Sequence, residues 1–395
     1  MTITAATKPT AGPVPRAGRA LAPDLARGAM LLFIALANAA NFAFAGQPGI
    51  DGTPHGLHRL VNFFMVTFVD SRAYPVFAVM FGYGLVQLAR RTEATGASAR
   101  RILLRRNAWL IAFGLVHATL LYFGDFLGAY GIVGIIATLL LLRRGDRFHR
   151  IVVWLWALMT GYLAVVVAMV ATQAEGGHAV LVNTPNPSLA ATSYGQGVLD
   201  RLAEWPAHTA TVVPFIFIVW LGIWAGRRRI LEDPAAHRVL LRRTAIGCLA
   251  ITLLGALPYA LVAAGVVRVD PDTLDAVTYL HAISGEYGGP GYVALFGLLA
   301  LRFSAGRRRP VVSAVAALGQ RSLSGYLFQS VAWTAIFMPF ALDLGGSTYI
   351  AVAAAVTVWA VSVLAARAMD ERGYRGPAER VLRRLTYRPI GSRNV

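Results

Sequence analysis

The chain has 395 residues, 56% of them hydrophobic and 14% charged, with a formal net charge of +18. Soluble domains carry about 25% charged residues, so this composition excludes an ordinary soluble enzyme and fits a polytopic membrane protein. The positive balance does not point to nucleic acid, because basic loops at one membrane face produce the same excess. The single cysteine, Cys248, excludes a disulfide framework within the chain.

Residues 1–22, with Lys8, Pro9, Pro13 and Pro15, read as a disordered cytoplasmic tail. They lack the apolar core of a signal peptide. A spanning helix needs about 20 mostly apolar residues. Runs of that kind fall at roughly 28–45, 72–89, 107–123, 126–142, 151–171, 209–226, 244–266, 287–303, 322–341 and 348–368, which makes ten. The apolar-aromatic stretch His58–Val69 before the second run is suited to lying along the membrane or re-entering it. Residues 172–208 are the longest polar connection. Asn183, Pro185, Asn186, Pro187 and Gly195 break regular structure there, which predicts a loop or lid. Residues 372–395 predict a basic cytoplasmic tail.

The arginines order these spans. Arg16, Arg19 and Arg27 precede the first, and arginine-rich connections follow at 90–106, 143–150, 227–243, 302–309 and from Arg367. The alternate connections carry only Arg201 and Arg268. Ten spans with both termini cytoplasmic obey the positive-inside rule at every turn. The expected fold is therefore all-α: an integral helical bundle over residues 23–371 in the cell's inner (plasma) membrane. Arg321 would lie deep in the membrane if a span began at Val311. The expectation is a short interfacial segment after Pro310, then a helix capped by Ser322 with Arg321 at the cytoplasmic surface.

Ionisable groups inside or at the edge of a membrane are expensive, and mark candidate sites. His117 and Asp125 flank a turn between the third and fourth spans, where antiparallel helices bring them together. A carboxylate beside an imidazole fixes its tautomer, as a general base requires. The same residues also serve if Asp125 only caps the fourth helix and His117 meets a carbonyl. Asp70 and Arg72 are expected to pair at the same membrane edge. His55 and His58 in the first external loop compete with His117 as the catalytic histidine; lacking a third ligand, they predict no metal site. His281 and Glu286 are weaker candidates. Near the other face, Asp24 and Arg27 open the first span, and Asn38 falls near its middle. Ser322, Tyr326 and Gln329 form a polar stripe on the ninth span that faces protein or water rather than lipid. Gly82, Gly84, Gly128, Gly131 and Gly134 allow close helix packing, and such glycine-rich spans permit a homodimer.

Several stretches carry a resemblance. Arg19-Ala-Leu-Ala-Pro-Asp24-Leu-Ala-Arg27-Gly28 through Asn38, and Tyr74-Pro-Val-Phe-Ala-Val-Met-Phe81-Gly82-Tyr-Gly84, resemble the YeiB-like bacterial membrane proteins. So do His117 with Gly124-Asp125 and Ala129-Tyr130-Gly131, Gly319-Gln-Arg321-Ser-Leu323-Ser-Gly-Tyr326-Leu-Phe-Gln329-Ser330, and Arg375-Gly376-Pro377-Ala-Glu379. Ser324-Gly325-Tyr326 departs from the Thr-Asn-Tyr of many of these proteins. The family is similar in its first half, here about 23–226, to heparan-alpha-glucosaminide N-acetyltransferase, and more distantly to bacterial O-acetyltransferases of the transmembrane acyltransferase superfamily. The remainder, about 227–371, is family-specific.

The resemblance implies transfer of an acyl group from cytoplasmic acetyl-CoA, or another acyl-CoA, to an extracytoplasmic sugar, glycolipid or cell-wall acceptor. It also implies a catalytic histidine in the first external loop, which here holds His55 and His58. On that reading Arg27, Arg101, Arg105 and Arg106 hold the phosphates. The thioester enters near Asn38, Tyr326 and Gln329. His117, oriented by Asp125, takes the proton, and Tyr130 or Asn38 stabilises the oxyanion. The alternative is a transporter or exporter of a small metabolite, with Asp70, Asp125 and His117 as proton or substrate sites.

Overall fold

The computed structural model describes residues 20–304 and 309–387. Helix α1 (Leu21–Ala43) leads through strand β1 (Gly46–Gln47) to α2 (Leu57–Phe64). A π-turn at Met65–Val69 follows, then α3 (Ala73–Glu93), α4 (Ala99–Leu120), α5 (Phe126–Leu140) and α6 (Asp146–Gln173). Strand β2 (Thr184–Pro185), α7 (Pro187–Ala190), α8 (Tyr194–Val212) and α9 (Ile216–Arg227) come next. The rest is α10 (Arg238–Ala263), α11 (Pro271–Glu286), α12 (Gly288–Ser304), α13 (Pro310–Gly319), α14 (Ser322–Phe337), α15 (Thr348–Glu371) and α16 (Pro377–Tyr387).

Among the described residues, six helical stretches are long and apolar enough to cross a membrane: α1, Leu57–Glu93, α6, Tyr194–Arg227, α10 and α15. On α6, Trp154 and Leu158 are 76% and 72% exposed, an arrangement that suits lipid and not water. The other expected spans fall on α4, α5, α12 and α14. Of these, α4 opens with arginines, and α5, α12 and α14 have 15, 17 and 16 residues. The bundle is joined by close backbone contacts. A Cβ on Gly82 of α3 would stand 2.0 Å from the Val219 carbonyl oxygen of α9, and one on Gly222 would stand 2.1 Å from that of Val79. Only glycine permits this reciprocal approach.

Four expectations need correction. The first 19 residues lie outside the described chain, but α1 already begins at Leu21, inside the segment read as a tail, with Leu21 and Ala22 buried. The connection 172–208 is not all loop. Helix α8 starts at Tyr194, capped by Ser193, whose hydroxyl accepts from Gln196 N at 3.2 Å. The remainder is tied down by β2, which pairs antiparallel with β1, Gly46 opposite Pro185 and Gln47 opposite Thr184. Asn183 reinforces that pairing. Its Oδ1 accepts from Gly49 N and Ile50 N, both at 3.0 Å, and its Nδ2 donates to Ile50 O at 2.8 Å.

The third correction is Arg321. Residues 310–319 are not an exposed linker. They form α13, buried from Ala314 to Gly319 and packed on α1. Arg321 occupies the break before α14 and is 5% exposed. Its guanidinium donates to Ala317 O at 3.0 Å and Tyr374 O at 3.2 Å, and pairs with Asp370 at 3.3 Å. The end of α15 covers it, so no surface position was needed to satisfy the charge. Arg307 and Arg308 lie outside the described residues.

The fourth concerns the C-terminal tail, which folds as α16 up to Tyr387; residues 388–395 are not described. Ser322 does not cap α14. Instead the Glu379 carboxylate of α16 accepts from Leu323 N at 2.8 Å and Ser324 N at 3.1 Å. It thereby satisfies free N–H groups at a helix N-terminus, where negative charge is favoured.

Candidate functional site

A cavity of about 980 Å³ follows α1. Its wall includes Asp24 and Arg27 in the first turns, Asn38 and Asn41 further along, and Gln47 and Pro48 just beyond the helix. Asp24 and Asn41 alone are separated by about 25 Å of helical rise. The cavity therefore runs from the arginine-rich side of the bundle to the opposite side.

The arginine-rich end is lined by Arg27, Arg91 and Arg106, with Gln87, Gln320 and Ser322. Arg27 lies 3.6 Å from Asp24. Gly84 leaves room for Arg27, since a Cβ there would meet its guanidinium at 3.3 Å. Three arginines around one opening form an anion site suited to phosphates. Arg101 and Arg105, named with Arg106 from sequence, do not line the cavity. The middle is aromatic and polar, with Phe81, Tyr130, Tyr326 and Asn38. The Tyr130 hydroxyl donates to Tyr74 O at 3.0 Å.

The opposite end is lined by Asp70, Asp275, His208, His281, Thr211 and Thr278. Asp70 and Arg72 do not pair side chain to side chain as expected. The Asp70 carboxylate turns to His281, with Oδ2 2.8 Å from Nε2. Arg72, fully buried, donates to the carbonyl oxygens of Asp70 and Thr252. It also sits against the imidazole, 2.9 Å from Nε2 and 3.2 Å from Nδ1. A guanidinium only donates. Nε2 of His281 therefore lies between the Asp70 carboxylate and the Arg72 guanidinium. Both residues line the cavity, and Asp70, with a side chain 28% exposed against 3% for His281, is the more accessible of the two.

His117 and Asp125 do meet. Nδ1 of His117 is 2.8 Å from Oδ1 of Asp125, while Oδ2 accepts from Gly128 N at 2.7 Å and so caps α5. Both expected roles of Asp125 coexist. Gly114 makes this possible, because a Cβ there would lie 2.4 Å from Oδ2. The pair gains a third member in Ser330 of α14, whose Oγ is 2.8 Å from His117 Nε2. All three are buried, and none lines the cavity. Tyr326 stands in the cavity wall with its ring 4.9 Å from that of His117. Gln329 also lies behind the wall, donating to Leu31 O at 3.2 Å.

Neither His55, just before α2, nor His58, in its first turn, lines the cavity. Their rings are 5.1 Å apart, and His58 Nδ1 is 3.5 Å from Asp51 Oδ2. Among the described residues no cluster of three or more His, Cys, Asp or Glu side chains is arranged to hold a metal.

Comparison with known proteins adds a family for the second half. Residues 225–389 match the family described as "Protein of unknown function (DUF418)". DUF418 is the YeiB-like family. The chain is also similar to "Uncharacterized protein YxaH" of Bacillus subtilis (strain 168), 26% identical over 345 residues, spanning 81% of this chain and 80% of the relative. A second relative is "Uncharacterized 39.9 kDa protein in amylase 3'region" of Bacillus acidopullulyticus, 28% identical over 201 residues, 50% of this chain and 52% of that one. The DUF418 match takes in His281, Tyr326, Ser330 and Glu379. Asp70, His117 and Asp125 precede it.

Sequence reasoning missed Ser330 as a partner of His117, although it continues the Ser322–Tyr326 stripe by one turn. It also missed Arg91, His208 and Asp275 on the cavity wall. No local spacing marks these, since their neighbours come from distant helices.

Proposed function

We propose that the protein is a membrane-bound acyltransferase. It moves an acyl group, such as acetyl, from acyl-CoA on the cytoplasmic side to an acceptor on the extracytoplasmic side. The observation that carries this reading is the single cavity with Arg27, Arg91 and Arg106 at one end and Asp70, Asp275 and His281 at the other. By the positive-inside rule the arginine-rich end is cytoplasmic, with both termini there and about ten spans in all. The diphosphate and remaining phosphate of the donor bind the arginines, and the thioester arm extends past Asn38 and Tyr326.

The acceptor presents a hydroxyl or amine at the opposite end. Its oxygen or nitrogen attacks the thioester carbonyl, the C–S bond breaks, and Asp70 takes the acceptor's proton. The thiolate of coenzyme A leaves toward the cytoplasm and is protonated by water. His281 and Arg72 hold Asp70 in place; the Asp125–His117–Ser330 chain holds the Tyr326 wall. Sugars, glycolipids and cell-wall precursors are the acceptor classes that fit an extracytoplasmic opening lined by carboxylates and hydroxyls.

Calorimetry of the purified protein with acetyl-CoA, and transfer of a labelled acetyl group across proteoliposomes, test this reading. Acyl-CoA binding with labelled acceptor appearing on the far side is expected. Absent donor binding, together with counterflow of a small metabolite without acyl-CoA, would overturn it in favour of a transporter.

A further inference from the structure

A second cavity, of about 310 Å³, opens on the arginine-rich side. It is separate from the large one. Gln87, Leu88 and Arg91 of α3 line the large cavity, whereas Val86, Ala89, Arg90 and Glu93 of the same turns line the second. Helix α3 is thus the partition between them, and nothing in the acyl-transfer reading uses the second cavity.

Its wall combines charge and apolar surface. Arg90, Arg100, Arg143 and Arg227 come from α3, α4, the turn after α5 and the end of α9, against Glu93 as the one acid. Arg90 pairs with Glu232 and Arg227 with Asp146, each at 2.7 Å, and neither acid lines the cavity. Arg100 and Arg143 meet no carboxylate within 4.0 Å among the described residues. Converging like charges repel unless an anion sits among them.

The floor is apolar, formed by Val86, Leu103 and Leu142. Leu139 and Leu140, between the wall residues Thr138 and Leu142 in sequence, are 43% and 57% exposed. A free phosphate needs the arginines but not this adjoining apolar surface. A phosphate with acyl chains attached uses both. Basic pockets between helices at a membrane face suit anionic lipid headgroups.

We propose that this cavity binds the phosphate of an anionic phospholipid from the leaflet at the arginine-rich face, with its acyl chains along Leu139 and Leu140. The proposal is independent of the function proposed above. The test uses the full chain, purified in detergent and titrated with phosphatidylglycerol or phosphatidylcholine, with bound lipid read by native mass spectrometry. The Arg100→Ala/Arg143→Ala variant is compared with Arg101→Ala, an exposed arginine outside the cavity. Phosphatidylglycerol is expected to bind the wild type and Arg101→Ala alike, and the double variant about tenfold or more weakly. An unchanged melting temperature in lipid-free detergent confirms that the double variant is folded. Equal phosphatidylglycerol binding in the double variant would overturn the proposal. So would equal retention of phosphatidylcholine, or inorganic phosphate binding through Arg100 and Arg143 with no preference for the lipid.

Discussion

Asp70 and His281 meet at 2.8 Å across 211 residues of chain, and the carboxylate is the more exposed of the two, 28% against 3% for the imidazole. Asp70→Asn keeps the shape and removes the base. In the proposed reaction it should lower the rate of acyl transfer by about 10²–10⁴-fold, the usual contribution of a positioned proton acceptor. Acyl-CoA affinity, measured by calorimetry, should stay near the wild-type value. Full transfer activity in the variant would remove Asp70 from the chemistry.

The Asp125–His117–Ser330 chain predicts a loss of stability. Asp125→Ala leaves His117 Nδ1 and Gly128 N–H buried without their acceptor. Each such group costs about 1–3 kcal/mol. Thermal unfolding in detergent should show a clear fall in melting temperature, whereas Ser330→Ala, which leaves only His117 Nε2 unpaired, should cost less. A variant of Asp125 as stable as the wild type would contradict this ordering.

At the arginine-rich end, Arg91→Ala and Arg106→Ala should each weaken acyl-CoA binding several-fold, and more steeply as salt is lowered. Charge-assisted bonds to phosphate carry that part of the affinity. Affinity unaffected by either change would place the donor's phosphates elsewhere.

The α3–α9 contact gives a prediction independent of function. Gly82→Ala inserts a methyl group 2.0 Å from a backbone oxygen, so the helices must separate. Overpacking of this kind costs about 1–3 kcal/mol. The yield of folded, monodisperse protein should fall, while Gly161→Ala on α6, where a Cβ meets nothing within 4 Å, should be neutral.

The helices were legible because their apolar runs are long, and the juxtaposition of His117 with Asp125 was legible because a short turn dictates it. What the sequence concealed depends on pairings between distant segments. Asp70 chooses His281 over Arg72, two residues away, because α11 brings an imidazole to it. Ser330 reaches His117 only when α14 packs beside α4. Arg321 looked too costly to bury until Asp370 and the carbonyl oxygen of Tyr374 were found around it. Conversely, His55 and His58 stood out as chemistry because they sit in the first external loop, a position in the chain that says nothing of their distance from the cavity.

Leu181, Val182 and Thr184 line the far end of the large cavity, in the segment that β2 and Asn183 fasten to the end of α1. This clasp is made of a few hydrogen bonds, each worth about 1 kcal/mol net. The same segment is also held by Leu181, buried against Tyr259, Ala260 and Val277, and by Ala179 N–H donating to Val269 O at 2.8 Å. The segment thus closes the far end of the cavity with both backbone pairing and a buried leucine.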